Sequence, residues 1–306
     1  MSQVPVRISI AEIPERHLQL AINIAVLAAI YALIACGYVL IYRVSRVLNL
    51  AHGELMMLSS YLLLTTASLF SGNPLIALGV AVGLSLCVGV LVYLFLMRRM
   101  TGEMVLAAVL TTVALGVLLR GLVVLIWSAQ QQNPAQALGW VNASLPVFGG
   151  RISAAGAGLI MTTALVYVGL FLFLRFTRYG IRMRAAGQNP LLAAQRGISL
   201  HVIYALAWGL STLTGALAGI LISLDSGLDS TMVLIGLKAF PAALVGGLDS
   251  LAGALIGALI IAAAEVLMIY YVDALLSDVV PFLVLILMLI VRPWGLFGTR
   301  EELDRV

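Results

Sequence analysis

Apolar runs separated by short polar segments fill most of this 306-residue chain. Many runs approach roughly 20 residues, the length at which a helix crosses the hydrocarbon of a bilayer. Helices are expected because an isolated strand would leave its backbone groups unpaired in lipid. The pattern therefore predicts an all-α fold, a polytopic transmembrane bundle of about 8–10 spans with nine as the working count. The predicted spans are 18–41, 55–70, 75–97, 104–127, 154–174, 202–224, 232–248, 251–272 and 279–291.

The second, seventh and ninth of these runs are short for a full crossing. Each is therefore a candidate for a broken or re-entrant element. The seventh run also contains Pro241, Gly246 and Gly247, and both proline and glycine weaken a helix interior. We predict a discontinuous helix there, of the kind that lines the translocation paths of many transporters.

Composition supports the membrane assignment and excludes several classes of protein. Hydrophobic residues make up 62% of the chain and charged residues only 10%, whereas soluble domains carry about 25% charged residues. The arginines lie beside apolar runs and not along one polar face, so nucleic acid is not an expected partner. Cys36 and Cys87 fall in apolar runs and are expected to pack as small apolar side chains. Residues 1–306 show no domain boundary and are predicted to form a single membrane domain.

The basic residues predict the orientation of the bundle. The loop 175–201 carries five of the seventeen Lys and Arg residues. If this loop faces the cytoplasm and the spans alternate, the N-terminus lies outside and the C-terminus lies inside. Residues 128–153 then form the main outer loop, either a docking or gating surface or an ordinary connector. The basic residues placed inside are Arg43, Arg46, Arg98, Arg99, Arg175, Arg178, Arg182, Arg184, Arg196, Arg292, Arg300 and Arg305. Those placed outside are Arg7, Arg16 and Arg151.

The loop 175–201 also contains the signals of a short helix. Asn189 is a good N-cap, and Pro190 suits the first helical position. Residues 191–196 can form about two turns, and Gly197 can end them in the left-handed conformation. Such a helix would be either a lever that transmits motion from a cytosolic partner or part of an ordinary basic loop.

Asn49, His52, Gly53 and Glu54 form a polar segment at the start of the second span. His52 and Glu54 are two residues apart and would point to different sides of a helix, unlike the i, i+4 pairs of helical zinc sites. We expect a kink at Gly53 that lines a cavity or an interface, or else a plain helix cap.

Arg120, Lys238 and Glu265 are ionisable residues within predicted spans. Such residues generally face the bundle interior or a water-filled path. We expect structural salt bridges first and substrate contacts second, with Glu265 as a candidate partner of Arg120. No clustered nucleophile, acid or metal-binding group accompanies the three histidines, so no catalytic site, metal site or cofactor is predicted. The sequence has no GxxxxGK[ST] phosphate loop, so any energy from ATP must come from another chain.

Four ordered segments resemble one family of membrane proteins. Residues 44–54, VSRVLNLAHGE, resemble that family's RVINFAHGE segment. Residues 236–257, GLKAFPAALVGGLDSLAGALIG, resemble its GLKAFxAAVLGGxGSxxGAxxG segment. Residues 184–198 resemble its cytoplasmic coupling segment, and residues 292–298 resemble its RPxGLFG ending. The family is that of the permease subunits of branched-chain amino-acid ABC importers, LivH type, and the resemblance covers residues 18–298.

The resemblance implies a non-catalytic transport subunit in a bacterial inner membrane that forms half of a translocation path by alternating access. It implies a second permease subunit, two cytosolic ATP-binding subunits that hydrolyse ATP, and a periplasmic or extracellular solute-binding protein as partners. The coupling residues that would enter an ATPase groove are Arg184, Asn189, Pro190, Leu191, Leu192, Ala194, Arg196 and Gly197.

Two departures from the family pattern leave the substrate open. Gln188 stands where an acidic residue is common, and Ser59 and Ser60 stand where GAY usually precedes a tyrosine. Importers of urea and short-chain amides share the same motifs and remain an alternative. A self-sufficient secondary transporter is a further alternative, although the chain shows few ion-coupling groups and no clear repeat.

Overall fold

The computed structural model describes residues 12–70, 72–147 and 149–299. Arg7, Arg300 and Arg305 of the orientation argument lie outside the described residues. Each of the nine predicted apolar runs forms a helix, which confirms the helical membrane bundle. The helices are α1 (Glu12–Ser45), α2 (His52–Leu69), α3 (Pro74–Met100), α4 (Val105–Trp127), α5 (Ala154–Phe176), α6 (Arg178–Gln188), α7 (Pro190–Gln195), α8 (Leu200–Ser226), α9 (Val233–Gly246), α10 (Leu251–Tyr271) and α11 (Val280–Val291).

Short elements complete the described part of the chain. The loop after α4 contains a helical turn at Pro134–Ala137 and an antiparallel hairpin of β1 (Ser144–Val147) and β2 (Gly150–Ser153). Single 3₁₀ turns at Ser230–Met232 and Ala274–Leu276 precede α9 and α11. The hairpin is the only sheet in the described residues, so the fold class stays all-α.

Six of the described helices are long and apolar enough to cross a membrane: α1, α3, α4, α5, α8 and α10. The runs that are short in the sequence become short helices, with 18 residues in α2, 14 in α9 and 12 in α11. At 1.5 Å per residue, α9 spans about 21 Å, less than the hydrocarbon thickness. The short helices therefore begin or end inside the bundle.

The loops gather at two ends of the bundle. At one end, the Arg46 guanidinium contacts the Asp249 carboxylate at 2.8 Å, and Thr299 donates to the same carboxylate. We call this the arginine-rich end, because the described basic residues predicted to lie inside all fall on it. At the opposite end, Asn142 donates to Asp225 at 2.8 Å. These contacts agree with nine helices that alternate in direction.

The core forms around α1 and α8, and the other helices surround them. In the most apolar window of each of these two helices, 72% of the residues are buried, against 22% in α3, α4 and α5. Helix α1 packs against α5, α8, α9 and α10, and α8 packs against α2 and α3. Helix α4 packs mainly on α2. The poorly covered helices therefore face lipid or another subunit.

Helix α9 is continuous through Pro241, so the prediction that proline breaks this helix is wrong. The helix ends instead at Gly246, and Gly247 follows with a φ of 101°. Gly257 of α10 packs on the Ala242 carbonyl after the proline, and Gly53 of α2 packs on Gly236 before it, so backbone contacts hold α9 on both sides of Pro241. Tertiary packing thus outweighs the loss of one helical hydrogen bond.

Candidate functional site

Residues 46–51 run back into the bundle and do not cross its end. Arg46 turns the chain with a φ of 57°, and α2 begins at His52, whose fully buried ring lies against Gly37 of α1. The His52 Nδ1 atom lies 3.4 Å from the Ser211 hydroxyl of α8. Since Gly37 lies about two turns inside α1, the polar start of α2 is in the interior of the bundle.

The polar groups of this segment are only partly satisfied. Asn49 Oδ1 accepts a hydrogen bond from Ala51 N at 3.1 Å, and Leu50 N donates to Thr112 Oγ1 of α4 at 3.1 Å. Among the described residues, Asn49 Nδ2 and His52 Nε2 are buried without a hydrogen-bond partner. A buried unpaired polar atom costs about 1–3 kcal/mol. This segment is therefore a candidate for rearrangement when the bundle changes conformation.

Gly53 serves a close helix contact, and neither the predicted kink nor the predicted cap is present. Gly53 is a helical residue of α2, and a Cβ there would lie 3.0 Å from the Val233 carbonyl oxygen and 3.4 Å from Gly236 Cα. The N-cap position is held by Ala51, which has no side-chain cap hydrogen bond. The backbones of α2 and α9 therefore touch at this glycine.

Glu54 lies against α4 one helical turn from Arg120, whereas Glu265 pairs with Lys238 and is not the salt-bridge partner of Arg120. A Cβ built on Gly116 of α4 would lie 3.0 Å from the carboxylate carbon of Glu54. Arg120 lies one turn beyond Gly116 and is exposed. Within the described part of the chain, neither residue has a salt-bridge partner within 4.0 Å.

Lys238 and Glu265 form the kind of structural salt bridge that the sequence predicts. Lys238 Nζ contacts Glu265 Oε1 at 2.8 Å, and the Tyr31 hydroxyl donates to Glu265 Oε2 at 2.6 Å. Lys238 also pairs with Asp278, just before α11. The network joins α1, α9, α10 and the start of α11, so its charges are used within the fold.

The helix predicted in the basic loop is present as α7. Asn189 Oδ1 accepts from Leu192 N at 3.0 Å, Pro190 is the first residue, and Gly197 follows with a φ of 78°. Leu191 and Leu192 are 70% and 56% exposed. A capped helix with two exposed leucines thus stands at the arginine-rich end.

A second helix in the same loop, α6, anchors α7 to the bundle and was not predicted. Its Gly187 packs on the Arg43 carbonyl at the end of α1, and its Gly180 packs on the Phe173 carbonyl at the end of α5. Arg184 lies exposed on α6, while Ala194 and Arg196 lie exposed in and directly after α7. Helix α7 is therefore connected through α6 to two membrane helices.

Residues 20–289 match the family described as branched-chain amino acid transport system, permease component. The high-affinity branched-chain amino acid transport system permease protein LivH of Salmonella typhimurium is 31% identical over 301 residues, covering 94% of this chain and 97% of that protein. The chain belongs to this permease family. BraD of Pseudomonas aeruginosa, also described as a high-affinity branched-chain amino acid transport system permease protein, is 28% identical. That alignment covers 95% of this permease and 98% of BraD.

The fold of the permease also occurs at low sequence identity. The structure of PsaBC from Streptococcus pneumoniae in complex with Fab contains a chain with a TM-score of 0.50 at 12% identity. The match covers 92% of the permease and 95% of that chain. The helical architecture is therefore shared over nearly the full length of both chains.

Clefts open at both ends of the permease. The cleft at the arginine-rich end has a volume of about 1190 Å³ and is lined by Arg43, Arg46, Arg184 and Asp249 among others. The cleft at the opposite end has a volume of about 730 Å³ and a polar lining that includes Gln131, Gln136, Trp140, Asn142 and Asp225. Among the described residues, no group of three or more potential ligands could hold a metal ion.

Several residues of these sites have no local signal in the sequence. Asp249 follows a double glycine, yet its salt bridge with Arg46 joins residues 203 positions apart. Gly116 lies in an apolar run, and only the packing of α2 on α4 makes it the seat of the Glu54 carboxylate. The helix α6 does have a signal, because Thr177 is an N-cap that accepts from Gly180 N at 3.0 Å.

Proposed function

We propose that the permease forms half of the translocation path of an ATP-driven importer for branched-chain amino acids. The family match over residues 20–289 carries this proposal, since its relatives LivH and BraD are named as permeases of high-affinity branched-chain amino acid transport systems. The polar residues Asn49, His52 and Glu54 inside an otherwise apolar bundle support a solute path, because polar groups at membrane depth mark such paths.

Two cytosolic ATPases would bind at the arginine-rich end through α7. Leu191 and Leu192 are exposed and apolar, and exposed apolar side chains beside polar ones are typical of protein interfaces. The packing of α6 on α1 and α5 would carry ATPase motion into the bundle. The excess of basic residues at this end supports a cytoplasmic position, so the N-terminus would lie outside and the C-terminus inside.

A solute-binding protein would dock at the opposite end, over the polar cleft beside Gln131 and Asn142. That surface is built from the loop 128–153 and residues that follow α8, which meet in the backbone bridge between Gln132 and Leu228. A second permease subunit would cover the poorly buried helices.

Reconstitution of the complete complex tests the proposal. The permease, its partner permease, both ATPases and the loaded binding protein are assembled in proteoliposomes, and labelled leucine uptake is measured beside ATP hydrolysis. We expect uptake that requires ATP. Uptake without any ATPase would support a secondary transporter instead, and import of urea but not leucine would support the amide alternative.

Gly197→Val tests the coupling role of α7 in the same assay. A β-branched residue at a φ of 78° carries about 1–2 kcal/mol of strain, so the equilibrium between the native and a rearranged end of α7 should shift about tenfold toward the rearranged end. Uptake should fall, at most by a similar factor, while ATP hydrolysis continues. Gly102→Val is the matched control, because Gly102 also has a positive φ, lies in open space and stands at the same end. Unchanged uptake and hydrolysis in Gly197→Val would contradict the coupling role.

A further inference from the structure

We infer that Glu54 and Arg120 bind the zwitterionic groups of an α-amino acid within the membrane. The Glu54 carboxylate would hold the ammonium group, and the Arg120 guanidinium would hold the carboxylate group. The inference rests on the proposed function and names the residues that recognise the cargo. Three observations at the α2–α4 contact support it: the less buried face of α2, the position of Glu54 along the membrane normal, and the absence of salt bridges to Glu54 and Arg120 among the described residues.

The less buried face of α2 is a single stripe. From His52 to Leu63, every residue of α2 is buried except Glu54, Leu58 and Leu62. These three are spaced four residues apart and therefore lie on one face of the helix. The stripe therefore consists of a carboxylate followed by two leucines, all three partly buried.

The position of Glu54 along the membrane normal is set by Gly116. This glycine is the central residue of α4 (Val105–Trp127), and a Cβ there would lie 3.2 Å from both carboxylate oxygens of Glu54. The Glu54 carboxylate is therefore near the middle of the membrane. Substrate sites of many transporters lie at this level.

The charges of Glu54 and Arg120 lack salt-bridge partners within the described residues, as shown above. Charged groups at this depth are costly and face water, protein or a ligand. Arg120 is exposed at the edge of the α2–α4 contact, on the side where Val113 and Val117 are 42% and 70% exposed. A ligand seated there would find one anion, one cation and branched apolar side chains.

An α-amino acid with an apolar side chain matches this set of groups. Its ammonium and carboxylate are both bonded to one carbon, so a single small molecule can reach both charges. Its side chain can then lie along Leu58 and Val117, which contribute by apolar burial. Urea and short amides carry no net charges and would leave both residues unpaired, so the site favours an amino acid over these alternatives.

Competition binding tests the site in the complete complex of two permeases and two ATPases in lipid nanodiscs, without the binding protein. Labelled leucine is displaced by leucine, by 4-methylpentanoate, which lacks the ammonium group, or by 3-methylbutylamine, which lacks the carboxylate. Because a hydrogen bond to a charged group contributes about 1.5–3 kcal/mol, each analogue should bind roughly tenfold to a hundredfold more weakly than leucine.

Two variants assign each charge to its ligand group. In Glu54→Gln, leucine should lose about that same factor while 4-methylpentanoate keeps its affinity. In Arg120→Gln, leucine should lose affinity while 3-methylbutylamine keeps its own. Glu103→Gln and Arg151→Gln are matched controls at exposed positions at the two ends of the bundle, and neither should change any affinity.

Three results would overturn the inference. The first is that leucine does not bind the unmodified complex even in the millimolar range. The second is that both variants lower the affinities of all three ligands by the same factor. The third is that either variant loses the second permease on size-exclusion chromatography, which would make the pair a subunit contact. ATP-driven leucine uptake by the unmodified complex is measured in parallel. Normal uptake with any of these results refutes the site alone, whereas absence of uptake refutes the proposed function.

Discussion

Two charged pairs lie within the membrane-spanning part of this permease, and their surroundings differ. Lys238 and Glu265 touch at 2.8 Å, and the Tyr31 hydroxyl and Asp278 complete their contacts. The Glu54 carboxylate lies against Gly116, one helical turn from Arg120, and among the described residues neither charge has a salt bridge. The first pair has its charges satisfied within the fold, whereas the second still has bonding capacity. The second pair is therefore the one that we propose as a ligand site.

The helices that carry each pair explain this difference. Glu265 is 4% exposed on α10, which packs against α1 and α9. Glu54 lies on the partly buried stripe of α2, and Arg120 lies on α4, which contacts mainly α2. A helix enclosed by neighbours can use a charge to join them, but a helix at the edge presents its charge outward.

The largest expected effect is on stability, at the closed pair. Glu265→Gln removes the carboxylate that Lys238 and Tyr31 share. Because Lys238 keeps its salt bridge with Asp278, the expected cost is that of hydrogen bonds to a charged group, about 1.5–3 kcal/mol. We expect the thermal midpoint of the detergent-solubilised complex to fall by several degrees. A midpoint equal to that of the unmodified complex would show that the pair is not structural.

An intermediate effect is expected when both members of the closed pair become apolar. Replacement of a buried ion pair by apolar residues is often close to neutral, so the double variant Lys238→Met, Glu265→Leu should recover more than half of the stability lost in Glu265→Gln. Tyr31 still loses its acceptor, which prevents full recovery. Thermal unfolding of the two variants side by side makes the comparison. A double variant less stable than the single one would contradict the ion-pair explanation.

The smallest effect on stability is expected at the open pair. Glu54→Gln removes a charge that has no salt bridge, so the free energy of unfolding should change by less than about 0.5 kcal/mol or increase slightly. The same thermal assay measures it, with Glu265→Gln as the matched glutamate-to-glutamine change. A large loss of stability in Glu54→Gln would show that Glu54, like Glu265, stabilises the fold.

The start and end of a helix were predictable where they depend only on residues close in sequence. The cap at Asn189, the first-turn Pro190 and the left-handed Gly197 all act within a few residues, and α7 forms as the sequence predicts. Pro241 and Gly53 were predicted wrongly by the same reasoning. Their conformations depend on helices distant in sequence, which pack on both sides of Pro241 and directly on Gly53.

The candidate site was predictable only as a set of residues. Glu54, Arg120, Lys238 and Glu265 are visible in the sequence because charge is rare in apolar runs. Their partners were not, since Glu265 was a candidate partner of Arg120 but pairs with Lys238, and Glu54 lies one helical turn from Arg120. Four charges in separate helices allow several pairings, and nothing in the sequence indicates which of them forms.

The sequence by itself determined the nine helices, the clustering of basic residues at one end and the family. These properties follow from hydropathy and from local motifs, which act along the chain without reference to its fold. Tertiary structure decided that the polar start of α2 lies inside the bundle, that α6 anchors α7, and which charges are paired. Those outcomes depend on contacts between helices far apart in sequence, where glycine positions allow backbones to touch and thereby fix which side chains can meet.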